Sequence, residues 1–231
     1  LLLRPSGHVG GDLVGSFEID ATRLALFSVD VSGHGVASAM MTARLAGLLS
    51  GSSPQQNIAL RAGPGGEQAA WPPDEVAARL NRMMIEDLKI DQYFTLVYAE
   101  VDLQTGAGNL VQAGHPHPAL MRRSGPVEIL GEGGLPIGLI EGASYGATPF
   151  QMNPGDRLVL ISDGFTECPG ALGDDLGADG ITMLLGRNAE LGSPALLEAL
   201  VWDLASFAGT EDFPDDISAL VFDYFGPTRA P

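Results

Sequence analysis

The chain has 231 residues, 45% of them hydrophobic and 6% aromatic, with 31 glycines, one cysteine and a formal net charge of −17. That hydrophobic content excludes a disordered chain. The acidic balance argues against nucleic-acid or anionic-membrane binding, because both need clustered Lys and Arg. The lone Cys168 rules out an internal disulfide or a Cys-rich zinc site, and no run reaches the ~18 apolar residues of a membrane span.

Arg23 to Val31 carries apolar residues on both faces, Leu24 and Leu26 on one and Ala25, Phe27 and Val29 on the other. This predicts a strand covered on both sides. The strand gives out at Asp30, and the chain turns through Ser32-Gly33-His34-Gly35. From Val36 the period becomes helical, with Val36, Met40, Ala43 and Ala46 or Gly47 as the stripe expected to face a sheet. Residues 50–73 are rich in Gly, Pro, Ser and Gln and read as a long loop with at most a helical turn. A second helix follows Pro72-Pro73, with Asp74 and Glu75 suited to its positive end and Val76, Leu80, Met83, Met84 and Leu88 as its core stripe.

Strands are then predicted at 93–102, 109–114, 118–123, 127–130 and, after the Asn-Pro-Gly turn at 153–155, from 156 towards 164. Residues 193–208 read as a helix capped by Ser193 with Pro194 in its first position, turning Leu197, Leu200, Val201, Leu204 and Ala208 inward. A final strand spans 217–225. Runs of strands joined by tight turns imply antiparallel pairing, so the expected architecture is α+β: two stacked sheets flanked by helices. No internal repeat divides the chain, and 1–231 reads as one domain.

Four motifs place acidic residues beside glycines or at strand ends: Gly10-Gly11-Asp12, Asp30-Val31-Ser32-Gly33-His34-Gly35, Ser162-Asp163-Gly164 and Asp215-Asp216. Each alone is an ordinary turn signal. Together they suit hard cations such as Mg²⁺ or Mn²⁺, which take oxygen ligands. A pair of such ions roughly 3.5–4 Å apart can activate water against a phosphoryl group. The adjacent glycines would let backbone come close to the ions.

The motifs "GGD", "DVSGHG", "NLVQAGHPHPALM", "GLPIGL", "NPGDRLVLISDGFTE", "LGADGITMLL" and "DDISALV", in this order from about Arg4 to Phe225, resemble the SpoIIE/RsbU-type branch of the bacterial PP2C (PPM) serine/threonine phosphatases. The resemblance implies a four-layer α-β-β-α sandwich. It also implies a binuclear Mn²⁺ or Mg²⁺ centre whose bridging hydroxide attacks phosphorus directly. Asp12 would then hold one metal together with the Val31 carbonyl, Asp30 would bridge both, and Asp163 and Asp215 would hold the second. Asp30 and Asp12 are thus the catalytic candidates, with Asp216 beside Asp215 and with His34 and Gly33 in the surrounding shell.

The resemblance further implies a phosphoserine or phosphothreonine substrate on a STAS-type anti-sigma antagonist, in the cytoplasm. An upstream sensor or receiver domain would control the two early helices. The start at Leu1, which cuts short the strand the family pattern places before Arg4, agrees with the C-terminal part of a longer chain, and a homodimer is compatible with this. The loop 50–73 is then a candidate regulatory element. Two rivals stand beside the phosphatase: a regulatory module that binds a phosphoprotein without turning it over, and a small-molecule phosphoesterase. His115 is expected to make a structural hydrogen bond between layers, His117 to lie in a loop, and the methionine pairs 40–41 and 83–84 to pack.

Overall fold

The computed structural model describes residues 1–7, 10–33, 35–88, 92–171 and 173–227, with 87 and 88 described by backbone alone. His34 and the side chain of Leu88, both singled out in the sequence, therefore lie outside the described residues and side chains. The strands are β1 (Leu2–Arg4), β2 (Asp12–Glu18), β3 (Arg23–Val31), β4 (Leu60–Ala62), β5 (Gln68–Ala70), β6 (Phe94–Asp102), β7 (Ala107–Ala113), β8 (Ala119–Met121), β9 (Val127–Ile129), β10 (Ala147–Gln151), β11 (Arg157–Ile161) and β12 (Ile217–Asp223). The helices are α1 (Val36–Leu48), α2 (Pro73–Arg82), α3 (Asp163–Thr166), α4 (Gly177–Arg187) and α5 (Ser193–Ala208), and a π-helical stretch, Met83–Leu88, continues α2.

Two five-stranded antiparallel sheets, ordered β1-β12-β11-β8-β9 and β10-β7-β6-β3-β2, stack between two pairs of helices. Side chains alternate across each strand, so an inner strand feeds two different apolar layers. In β3, Ala25, Phe27 and Val29 pack with Met41 and Leu45 of α1 and Val76 and Leu80 of α2, while Leu26 joins the layer between the sheets. In β11, Val159 and Ile161 pack under α4 and α5, while Leu158 and Leu160 face the other sheet. Three apolar layers between four structural layers make the α-β-β-α sandwich.

Several expectations need correction. In α1 the buried positions are Ser38, Met41 and Leu45, whereas Val36 and Met40 are 73% and 69% exposed. The helix is turned by about one residue from the expected stripe, because Met41 and Leu45 offer the bulkier side chains to the sheet. The 50–73 segment is no plain loop, since β4 and β5 form a hairpin in it and Trp71 lies between the guanidiniums of Arg61 and Arg79, 4.6 and 3.8 Å from its ring centre. Ser193 does not cap α5: Gly192 is the cap residue, and the Ser193 hydroxyl pairs with Asp223. Residues 2–4 do form an edge strand, on β12.

The Asp of the "PGD" turn is structural. Asp156 is 3% exposed and accepts from Arg122 Nη1 at 2.8 Å, Asn153 N at 2.9 Å and Arg123 N at 3.0 Å. Arg122 also grips both oxygens of Glu128. This network pins the start of β11, at the end of the sandwich away from the other acidic motifs.

Candidate metal centre

Antiparallel register makes Asp12, the first residue of β2, and Asp30, next to last in β3, direct cross-strand partners. Asp163 opens α3 just after β11, and Asp215-Asp216 lead into β12, the neighbour of β11 in the facing sheet. Each sheet therefore brings two acidic strand ends to the same end of the sandwich. The expectation that Asp163 terminates its strand is adjusted by two residues, because β11 ends at Ile161.

Like charges directly opposite in a sheet repel, and burial sharpens the cost. Burial pushes the Asp12 carboxyl up to about 8, with the charges of Asp30 and Asp216 adding to it. Burial and then the charges of Asp163, Asp215 and Asp216 raise Asp30 to about 7. Asp163 rises to about 6 through burial and the charges of Asp215 and Glu167. Asp12 Oδ2 is buried without a hydrogen bond. The Ser218 and Ser162 hydroxyls lie near enough to favour its ionised form, but Ser162 Oγ donates to the Asp216 carbonyl at 3.2 Å and Ser218 Oγ has no partner of its own.

An all-oxygen set of this kind, with one buried unpaired oxygen, suits a hard divalent cation, which would favour the ionised carboxylates that burial and mutual repulsion disfavour. Clearance is present as well: a Cβ on Gly11 would sit 2.8 Å from the Val31 carbonyl oxygen and 3.4 Å from Asp30 Oδ1. The residues fit the group. Among the described residues no three His, Cys, Asp or Glu side chains are already close enough to cage an ion. Instead Asp30, Asp215 and Asp216 rim an open cleft of about 580 Å³, which Val31 and Val36 also line.

Asp215 and Asp216 differ sharply. Asp216 is 6% exposed, and its Oδ1 accepts from Ser6 N at 2.8 Å and Ser6 Oγ at 3.1 Å. Its Oδ2 accepts from Gly11 N at 2.7 Å and Asp12 N at 3.4 Å. Asp215 is exposed, and its only hydrogen bond among the described residues is from the Asp216 N–H. Gly33 and Gly35 have a conformational reason of their own: both have positive φ, 83° and 88°, which only glycine adopts cheaply.

His115 is fully enclosed, with Nδ1 2.7 Å from Thr95 Oγ1 and Nε2 without a hydrogen bond. The Ile161 backbone offers it only weak compensation, and burial lowers its pKa to about 3. His117 Nδ1 lies 3.0 Å from the Leu130 carbonyl oxygen, in a loop as expected. A His buried neutral refuses a proton that the unfolded chain accepts below about 6.5. Its contribution to stability is therefore complete above that pH and shrinks as pH falls towards 3, by up to about 1.4 kcal/mol per pH unit. Urea unfolding at pH 7.0 and 5.5 should show the wild type losing about 1 kcal/mol more than His115→Asn. Equal losses would show that His115 titrates normally.

Sequence reasoning overlooked Ser6, Thr42, Ser162 and Ser218. Ser162 and Ser218 tie β11 to β12 beside the acidic ends, Ser162 N donating to the Ser218 carbonyl at 3.0 Å and Ser218 N to Ser162 Oγ at 2.9 Å. The signal for Ser218 was a serine at a core-facing position of an otherwise apolar strand, and for Ser162 a serine directly after one.

The sequence profile of the family described as Stage II sporulation protein E (SpoIIE) matches residues 20–225. The phosphoserine phosphatase RsbP of Bacillus subtilis is 29% identical over 159 residues, which cover 69% of this chain and 37% of RsbP, so the chain spans little over a third of that relative's length. In structure, the SiaA-PP2C domain of Pseudomonas aeruginosa superposes with a TM-score of 0.77 at 24% identity, over 96% of this chain and 84% of that one. RsbX, solved in complex with magnesium, superposes with a TM-score of 0.64 at 13% identity, over 95% and 91% of the two chains.

Proposed function

This chain belongs to the SpoIIE family, the SpoIIE/RsbU-type branch of the PP2C phosphatases, and on that premise we propose that it hydrolyses phosphoserine or phosphothreonine on a protein, using two Mn²⁺ or Mg²⁺ ions. The observation that carries the reading is the Asp12–Asp30 cross-strand pair, with a buried unpartnered oxygen, set against Asp163 and Asp215 from the other sheet. Asp12 and the Val31 carbonyl would hold one ion, Asp163 and Asp215 the other, and Asp30 both. Asp215 is assigned in preference to Asp216 because both oxygens of Asp216 are already engaged. Bound ions would supply the Lewis acidity that polarises a phosphoryl group and lowers the pKa of water.

The chain's own part is to gather charge and leave the nucleophile to water. Of the described residues lining the cleft, the one hydroxyl, Ser6 Oγ, donates to Asp216. No side chain there is set up as a nucleophile with a base beside it. The cleft is open to solvent along Val36, so a phosphorylated side chain on a folded protein could enter it. By family membership we assign the substrate to the STAS-type anti-sigma antagonists and the control to an upstream sensor or receiver domain. The intact set of four acidic positions favours turnover over a binding module.

Hydrolysis of an aryl phosphate and of a phosphoserine STAS protein should appear with Mn²⁺ or Mg²⁺ and vanish with EDTA. Phosphoprotein binding without hydrolysis in any divalent metal would replace the phosphatase by the binding module. Hydrolysis of the aryl phosphate with no action on phosphoprotein would favour the small-molecule enzyme.

A further inference from the structure

We propose that Asp216 is a positioning residue that sets the metal affinity of the cleft without itself ligating a metal. Its carboxylate takes two N–H or O–H donors on each oxygen, all of them from the segment that leads from β1 into β2. Two of those donors, Gly11 N and Asp12 N, fix the backbone that carries the Asp12 carboxylate. Gly11 relays the restraint, because its carbonyl accepts from Val31 N at 3.3 Å and from Thr42 Oγ1 at 2.9 Å. That reaches the end of β3, where Asp30 and the Val31 carbonyl lie.

On the other side, the Asp216 carbonyl accepts from Ser162 Oγ at 3.2 Å and abuts Gly164, so it braces the residues on both sides of Asp163. Asp215 is its covalent neighbour. One residue thus reaches all four segments that carry proposed ligands, Asp12 and Asp215 directly, the Asp163 segment through Ser162 Oγ and Gly164, and the end of β3 through two successive hydrogen bonds by way of Gly11. It also accounts for Gly10, where a Cβ would run into Asp216 Oδ2. Charge-assisted hydrogen bonds of this kind are strong and directional, and the groups that orient metal ligands affect affinity nearly as much as the ligands do.

This inference rests on reading the cleft as a divalent-metal site, but not on the identity of the substrate. The test is Mn²⁺ binding by calorimetry and electron paramagnetic resonance, together with thermal melting. Asp216→Ala and Gly10→Ala should keep the wild-type number of ions and bind them about 10- to 100-fold more weakly, with kcat restored by excess Mn²⁺. Gly10→Ala retains every carboxylate and adds one methyl group, so it serves if Asp216→Ala fails to fold. Asp215→Asn should instead lose an ion. Asp156→Ala, remote from the cleft, should lower the melting temperature and leave Mn²⁺ affinity unchanged. Loss of an ion in Asp216→Ala with full occupancy in Asp215→Asn would make Asp216 the ligand and overturn the proposal. So would wild-type Mn²⁺ affinity in both Asp216→Ala and Gly10→Ala. A wild type that binds Mn²⁺ and hydrolyses nothing would overturn the phosphatase reading and leave the role of Asp216 standing.

Discussion

Asp30→Asn should reduce metal-dependent hydrolysis by about three orders of magnitude or more while leaving the metal-free protein folded. Losing the charge that serves both proposed ions removes several kcal/mol of transition-state stabilisation, and about 4 kcal/mol corresponds to a thousandfold. An Asn oxygen can still approach one cation, but it cannot balance two. The stability change runs the other way. Burial and the charges of Asp163, Asp215 and Asp216 lift the Asp30 carboxyl to about 7. A carboxyl raised in the folded state helps folding in acid, and that help is lost as pH rises from about 4 through 7. Without metal at pH 7.5, Asp30→Asn should therefore melt at or above the wild-type temperature. Hydrolysis within tenfold of wild type at saturating Mn²⁺ would remove Asp30 from its bridging role. A markedly lower metal-free melting temperature would contradict the like-charge strain.

The layered fold was legible because β3, β6 and β11 are apolar on both faces and the strands follow one another through tight turns. What escaped was short, symmetric or long-range. β10 contains Pro149, which argues against a strand except at a sheet edge, and an edge is where it lies. β4 and β5 have three residues each, too few for a periodic signal. In α1, apolar and small residues surround the helix, so Val36 and Met40 looked as good a core stripe as Met41 and Leu45. The acidic motifs stood out one by one, but the Asp12–Asp30 pairing depends on the register of β2, a strand that sequence reading passed over. The different duties of Asp215 and Asp216 depend on Ser6 and Gly11, more than 200 residues away in the chain. No local pattern could carry that information.

Gly164→Ala should cost about 1–3 kcal/mol of stability and most of the hydrolytic activity. Gly164 follows Asp163 at the start of α3 and is buried. A Cβ there would fall on the Asp216 carbonyl oxygen and 3.0 Å from Ile217 Cδ1. Neither neighbour can yield easily. Ile217 is fully buried, and the Asp216 carbonyl is held by Ser162 Oγ. The backbone at Gly164 is not among the positive-φ glycines, so the penalty is a collision rather than a forbidden conformation. Relief must come from moving α3 away from the start of β12, which separates Asp163 from Asp215. Gly33→Ala provides the contrast: φ is +83° there, with nothing within 4 Å of the added carbon. Its cost should be limited to about 1 kcal/mol of backbone strain. Urea unfolding of both variants, with hydrolysis measured at high Mn²⁺, separates the two causes. If Gly164→Ala is no less stable than Gly33→Ala and hydrolyses normally, the two strand ends do not depend on that close contact.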